Sequence, residues 1–385
     1  MLPVPPSTLF FKPFSPVSQV NAAQVAINLV VSKFAMLCAI VLGAGAVSTA
    51  LAQANAPAAP TVAPAAAASP AASAGATEAV LSINDWLLRT HEAAMKKRSY
   101  IGTMVQSSAQ TFSSARVWHA CDGAQQMERV ETLTGAPRSI FRHNNKVVTF
   151  MPEVKTARLE QRELVGGFPD LLKPGAGSIP EFYTLKALGT ERIAGLDADV
   201  VQLAPKDALR FGYRIWTEKK SQLVVKLQTL DANGSILEQA AFSELQLDAP
   251  VKMDKLARMM AATEGYQIDQ SAITKTTSAT EGWQMKAGIP GFKPLTCYKR
   301  GTALNNANSS PLDGTTFQWI FSDGLATVSL FVEEFDKTRH TQEGMLVQGA
   351  THSLLVRKNE FWLTAVGEVP PQTLKAFTAN LERKR

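Results

Sequence analysis

VVKLQTLDANGSILEQAAFSEL, residues 224–245, is the stretch whose reading decides the fold. Val224–Leu230 and Ile236–Leu245 are short runs of strand-forming residues, and Asp231-Ala232-Asn233-Gly234 between them supplies the polar residues and glycine of a hairpin turn. The same pattern extends towards the N-terminus, predicting strands at Leu185–Ile193, Ala198–Ala204 and Tyr213–Thr217. Further back it predicts Tyr100–Ser107, Ser114–Ala120, Gln126–Leu133, Arg138–Arg142 and Lys146–Met151, punctuated by Asp122-Gly123, Thr134-Gly135 and Asn144-Asn145. Short runs at this spacing imply an antiparallel meander. A helix precedes it: Ser82 can cap, Asp85 follows three residues on, and Ile83, Trp86, Leu87 and Ala94 form an apolar stripe.

A Gly/Pro-rich break interrupts the meander at Leu164-Val165-Gly166-Gly167-Phe168-Pro169-Asp170-Leu171-Leu172. Apolar residues set among glycines fit either a mobile flap over an apolar cavity or a short helix packed on the core. After residue 262 the chain turns polar and aperiodic, and Thr263–Thr280 reads as a connection. Beyond it, Phe317–Ser322 alternates into a turn at Asp323-Gly324, and Leu325–Glu333 returns. Thr351–Arg357 and Phe361–Val369 flank Lys358-Asn359, and Pro370-Pro371 opens a helix with Leu374, Phe377 and Leu381 inward. The plan is mainly β (α+β), with a large module over 78–262, a linker over 263–280 and a small module over 281–385.

The preceding residues read as address and tether. Lys33, the apolar stretch Phe34–Val47 and Ala50-Leu51-Ala52 make a positive flank, a short apolar core and a cleavage site, so 1–52 reads as a secretory signal. Residues 1–30 are long, proline-bearing and nearly uncharged for such a flank, which points to a true start near Val30 or Val31. Cys38 lacks a small residue just before it, which disfavours lipidation. Residues 53–77 form a tether: between Gln53 and Ala76 there are 13 Ala and 4 Pro in 24 residues, too small and too proline-broken for a core or a helix.

The full chain of 385 residues is 45% hydrophobic and 19% charged, which excludes collagen, a disulfide-dense miniprotein and wholesale disorder. Its net charge of +6 falls to +4 once Lys12 and Lys33 leave with the signal. The basic residues are scattered, in no block longer than Lys96-Lys97-Arg98 or Arg383-Lys384-Arg385, so a nucleic-acid partner is not expected. The mature chain keeps Cys121 and Cys297 in an oxidising compartment. A single bridge between them and two unpaired, half-buried thiols are both open, since spacing does not show whether their Cα atoms come within reach.

No catalytic set can be assembled. His91-Glu92 lacks the second histidine of a zinc-protease pattern, and His119-Ala120-Cys121 has no third ligand in sight. There is no nucleophile elbow, phosphate loop or dinucleotide fingerprint; Gly175-Ala176-Gly177 lacks the third glycine. Adjacent acids such as Glu333-Glu334 turn to opposite strand faces and do not make a glycosidase pair. The expectation is a secreted β protein without metal, cofactor or enzymatic activity.

A family resemblance lies in an ordered set of segments. Glu128-Arg129-Val130 with Gly135, Gly189-Thr190-Glu191-Arg192-Ile193-Ala194-Gly195, Tyr213-Arg214-Ile215-Trp216-Thr217 and Leu230-Asp231-Ala232-Asn233-Gly234 with Leu237-Glu238-Gln239 resemble the N-terminal domain of the RseB/MucB family. Gly291-Phe292-Lys293, Ser322-Asp323-Gly324-Leu325-Ala326 and Val366-Gly367-Glu368-Val369-Pro370-Pro371 resemble its C-terminal domain. The resemblance implies a large domain like the half-open antiparallel β-barrel of the lipoprotein carriers LolA and LppX, and a small domain of antiparallel sheet with one packed helix. It implies a periplasmic regulator of sigma-E-type (AlgU-type) factors. Such a protein docks on the periplasmic part of an RseA- or MucA-like anti-sigma factor, shields it from site-1 proteolysis, and is released by lipopolysaccharide or mislocalised lipoprotein. The long tether and the two cysteines depart from what the family explains.

A half-open barrel offers an apolar concavity for acyl chains, with Phe150, Met151, Phe168, Leu171 and Leu172 expected near its mouth. The turn Ser322, Asp323, Gly324 and Leu325 is the candidate partner surface, and a free strand edge in either module can take up an extended peptide. A lipid or lipoprotein carrier of LolA type is the alternative reading, although such a carrier does not need the small module. A homo-oligomer stays open.

Overall fold

The computed structural model describes residues 82–384 apart from 84, 88, 91–97, 109–110, 123–124, 162–178, 271–272 and 302–314. The signal, the tether and the whole of the expected flap therefore lie outside the described residues, as does Ala94 of the expected first helix. That helix begins as its capping pattern requires. The Asp85 N–H donates to Ser82 Oγ at 3.0 Å, Ser82 Oγ donates back to Asp85 Oδ2 at 2.7 Å, and Trp86 and Leu87 are buried.

The hairpin at 224–245 forms as β10 (Val224–Leu230) and β11 (Ile236–Leu247). Asp231 Oδ1 accepts the N–H groups of Asn233 and Ser235 at 2.9 and 2.8 Å, and Gly234 takes the positive φ of 81° that closes the turn. Before it run β7 (Tyr183–Ile193), β8 (Leu196–Pro205) and β9 (Gly212–Glu218). The first meander is β1 (Tyr100–Ser108), β2 (Phe112–Cys121), β3 (Gln126–Thr132), β4 (Ser139–His143), β5 (Lys146–Met151) and β6 (Thr156–Gln161). Antiparallel pairing of β1 with β11 joins the two meanders into one sheet. Its order is β12-β6-β5-β4-β3-β2-β1-β11-β10-β9-β8-β7, where β12 is Gln267–Gln270. The two end strands do not pair with each other, so the sheet is open.

The stretch read as a featureless connection holds two strands. β12 joins the large sheet parallel to β6, the one parallel pairing among the described residues, and β13 (Ile273–Thr276) joins the second sheet antiparallel to β15 (Lys293–Arg300). Two α-helical elements also escaped the sequence reading. One is the single turn α1 (Ile179–Phe182), and the other is α2 (Met253–Ala261), which lays Leu256 and Met260 onto Met127, Phe141, Val148, Phe150 and Ala157.

The second sheet has the order β13-β15-β16-β17-β20-β19-β18, with β16 (Thr316–Ser322), β17 (Thr327–Glu334), β18 (Gly344–Gln348), β19 (Thr351–Lys358) and β20 (Phe361–Gly367). Helix α3 (Pro371–Asn380) starts with Pro371 in its first turn, where a missing N–H costs nothing. It packs Leu374 and Phe377 against the sheet, and Phe377 meets Phe321 at 5.0 Å and Phe292 at 5.4 Å between ring centroids. Each such buried side chain contributes roughly 1.5–3 kcal/mol. Leu381 is fully buried as expected, but it stands past the helix and opens β21 (Leu381–Arg383), which pairs with β14 (Trp283–Met285). No helix among the described residues is long and apolar enough to cross a membrane.

Candidate functional site

The loop from β8 to β9, residues 206–211, sends Arg210 into the second module. Its guanidinium is fully buried and meets a carboxylate from the β16–β17 turn: Nε donates to Asp323 Oδ2 at 2.8 Å. Nη2 donates to the Pro290 carbonyl at 2.5 Å, and Nη1 to Asp207. The cation lies 4.2 Å from the ring centre of Phe182, 5.1 Å from that of Phe292 and 5.9 Å from that of Tyr183. Tyr183 Oη donates to the same Asp323 Oδ2 at 3.0 Å, while Oδ1 accepts the N–H groups of Leu325 and Ala326 at 2.9 and 2.7 Å. A buried charge is tolerable only when paired and hydrogen-bonded, and both oxygens of Asp323 are engaged.

The electrostatics follow from this packing. Burial, and then the Asp323 charge, push the Tyr183 hydroxyl well above its ordinary range, so it stays a donor. Burial opposes the charge on Arg210, but the hydrogen bond and charge of Asp323 outweigh it and raise the guanidinium further. Gly291 completes the clasp by absence: at φ +80°, a Cβ there would lie 2.3 Å from Arg210 Nη2 and 2.8 Å from the Phe182 ring.

Two further contacts join the modules. At the start of α3, Thr373 Oγ1 donates to the Leu209 carbonyl at 2.7 Å and Gln372 Nε2 to the Ala208 carbonyl at 2.5 Å. Glu238 of β11 accepts from Gln106 Nε2 at 2.5 Å and from the Ala350 N–H at 3.4 Å, where Gly349 leaves room for it. The two modules are thereby held in one geometry.

These contacts change the place of several candidates. Ser322, Asp323 and Leu325 are buried, and Ser322 Oγ accepts the Gly324 N–H at 3.0 Å; the turn expected to face a partner faces the large module instead. It is turned inward because Asp323 is the counter-ion of Arg210. Phe150 lies beneath α2, edge-on to Phe141 at 5.7 Å and Tyr266 at 5.0 Å, while Met151 ends β5 half-buried. Phe168, Leu171 and Leu172 lie outside the described residues. Cys121 and Cys297 are unbridged: the first ends β2 of the large sheet, and the second is buried in β15 of the other. Arg210, Tyr183, Glu238 and Thr373 were missed by sequence reasoning. Nothing in their spacing links them to positions more than a hundred residues away, although Gly291-Phe292 had stood out as a motif.

Comparison with known proteins gives the arrangement its family. The model for the MucB/RseB N-terminal domain matches residues 82–260, and that for the MucB/RseB C-terminal domain matches residues 277–382. Sigma-E factor regulatory protein RseB of Escherichia coli (strain K12) is 25% identical over 297 residues, covering 77% of this chain and 89% of that protein. Sigma factor AlgU regulatory protein MucB of Pseudomonas aeruginosa is 26% identical over 321 residues, covering 80% and 92%. The fold is shared with MucB in its crystal structure with MucA(peri), at a TM-score of 0.57 and 24% identity over 79% of this chain and all of that one. The Pseudomonas aeruginosa MucA/MucB complex aligns with a TM-score of 0.58 and 23% identity, over 78% of this chain and 99% of that one. Matched in both domains and in order, the chain belongs to the MucB/RseB family.

Proposed function

We propose that this protein is a periplasmic regulator that binds the periplasmic segment of a membrane-anchored anti-sigma factor and shields it from site-1 proteolysis. A lipid or lipopolysaccharide-type envelope signal releases it. The observation that carries this reading is the presence of both family domains, in order, in one chain. Relatives bearing them are named as regulators of sigma-E and AlgU factors, and one was crystallised with MucA(peri). In this reading residues 1–52 direct export, 53–77 tether, 78–262 receive the lipid, 263–280 connect and 281–385 dock on the anti-sigma factor. No catalytic step is assigned to it.

The buried clasp bears on how release works. Ligand binding shifts a partner's affinity only by favouring one state over another. The Ser322–Leu325 turn becomes available to a partner only when Arg210 lets go of Asp323. Acyl chains entering beside Met151 would reach Phe150 only if α2 moves. Opening of either element is the device by which a lipid would alter the partner surface.

The test uses delipidated mature protein starting at Gln53, titrated against the periplasmic segment of the same organism's anti-sigma factor. Saturable binding that weakens on addition of lipopolysaccharide fragments is expected. Uptake of a fluorescent fatty acid without any binding to that segment would overturn the reading and point to a carrier.

A further inference from the structure

The turn between β17 and β18 is built on a histidine. The Asp336 N–H donates to His340 Nδ1 at 2.9 Å, and the His340 N–H returns to the Asp336 carbonyl at 2.7 Å. Asp336 Oδ1 also accepts the Thr338 N–H and hydroxyl at 2.8 and 2.6 Å. A ring nitrogen that accepts carries no proton, so the single proton of His340 sits on Nε2. Nε2 faces Glu333 Oε2 of β17 at 3.6 Å, and the same oxygen lies 3.8 Å from Arg339 Nη1. The imidazole stacks on Trp362 of β20 at 4.8 Å with planes 7° apart, and Phe335 lies 5.8 Å away. Arg357 of β19 covers the Phe335 ring at 3.9 Å. The His340 side chain is only 1% exposed.

We propose that His340 is a proton switch: taking up a second proton breaks the internal lock of the Asp336–His340 turn and loosens β18, the edge strand that the turn feeds. Protonation converts Nδ1 from acceptor to donor, so two N–H groups would face each other across 2.9 Å. The ring itself need not leave, because the indole face of Trp362 accommodates a cation. What fails is the bond that closes the turn. Next to it β18 lies at the margin of the sheet with Leu346 and Val347 half exposed, held there by β19 alone.

The charges around the ring set the direction. Burial, and then Arg339, hold the imidazole below its ordinary range against the pull of Asp336, so the turn is locked at neutral pH and opens on the acid side. Asp336 stays ionised throughout, its carboxyl held down at about 2 by its Thr338 hydrogen bonds. Among the described residues Glu333 is the anion paired with Nε2, and burial raises its carboxyl despite Arg339. That shift favours its neutral form, which weakens it as an anchor for the imidazolium. The inference rests on the geometry of this turn and is independent of the regulator reading.

Hydrogen–deuterium exchange on the mature chain tests it, at about pH 7.5 and about pH 5 with intrinsic rates corrected. Peptides covering 335–348 are expected to lose about tenfold in protection at the lower pH, while peptides from β16 keep theirs. His340→Gln retains an acceptor for Asp336 and removes the titration, so its protection should not change with pH. A parallel readout is indole emission, which an adjacent imidazolium quenches: acid should dim the wild type more than Trp362→Phe. Unchanged protection of 335–348 in the wild type, or the same loss in His340→Gln, overturns the proposal. If that variant does not fold, the wild-type exchange and the Trp362→Phe comparison decide alone.

Discussion

Leu209 and Leu325 are exchanged between the two cores. Leu209, from the β8–β9 loop of the large sheet, packs against the cluster around Phe321 and Leu374, whereas Leu325, from the β16–β17 turn, is buried among Tyr183, Leu203 and Ile215. The charged clasp sits between these two insertions: Arg210 follows Leu209, and Asp323 precedes Leu325 by two residues. Apolar burial supplies most of the holding energy, and the ion pair fixes the geometry.

Breaking one side of that pair should be costly. Arg210→Ala leaves the Asp323 carboxylate buried without its counter-ion and is expected to lower stability by about 3–5 kcal/mol in denaturant unfolding, whereas Asp323→Ala leaves Arg210 with Asp207 and should cost less. Tyr183→Phe removes one hydrogen bond and should cost only about 1 kcal/mol. Equal losses for all three would contradict the ion pair as the costly element of the clasp.

Gly291 and Gly135 have similar backbone angles, φ +80° and +75°, but different surroundings. An added methyl meets Arg210 and Phe182 at the first and nothing within 4 Å at the second. Gly135→Ala should therefore cost about 1 kcal/mol of backbone strain, and Gly291→Ala more than twice that through displacement of the guanidinium. Thermal melts of the two variants side by side make the comparison.

His119 gives a pH dependence of stability with a defined sign. Burial, and then Arg142, lower its pKa to about 4, and its ring stacks on Tyr100 at 4.8 Å. The folded state thus binds fewer protons than the unfolded chain, whose histidine titrates near ~6.5. This contribution is complete above ~6.5, declines as pH falls and is exhausted below about 4. His119→Phe keeps a ring on Tyr100 and should flatten the urea midpoint across that window. His340, held low by burial, adds a slope of the same sign.

The two thiols should differ in reactivity. Burial pushes Cys297 up to about 11, which leaves its thiolate about a hundredfold scarcer than that of an ordinary cysteine. Native protein treated with iodoacetamide near pH ~8 should be modified at Cys121 long before Cys297. A non-reduced digest that yields a Cys121–Cys297 peptide would contradict the unbridged arrangement.

How much was legible in the sequence depended on how local each signal was. The 224–245 hairpin was readable because Asp231, Asn233 and Gly234 make the turn with their own atoms. Helix α3 was readable from its prolines and its Leu374 and Phe377 spacing. Helix α2 had a signal that went unused: Met253, Leu256, Ala257 and Met260 recur at helical spacing behind Lys252. Strands β12 and β13 had none, since each is four mostly polar residues whose order comes from a distant partner strand. The clasp was illegible for the same reason. Asp323 before Gly324 reads as a solvent-facing turn until Arg210 arrives from 113 residues away.

The short step between β12 and β13 has a mechanical meaning. Gln270 ends a strand of one sheet and Ile273 begins a strand of the other, so three peptide units span the boundary, at most ~11 Å of chain. While both strands stay paired, the modules can pivot about this point but cannot drift apart. A clasp that opens therefore faces its mate at a high effective concentration and recloses readily. To keep the molecule open, a ligand must occupy the gap or peel away β12 or β13; a transient push is not enough.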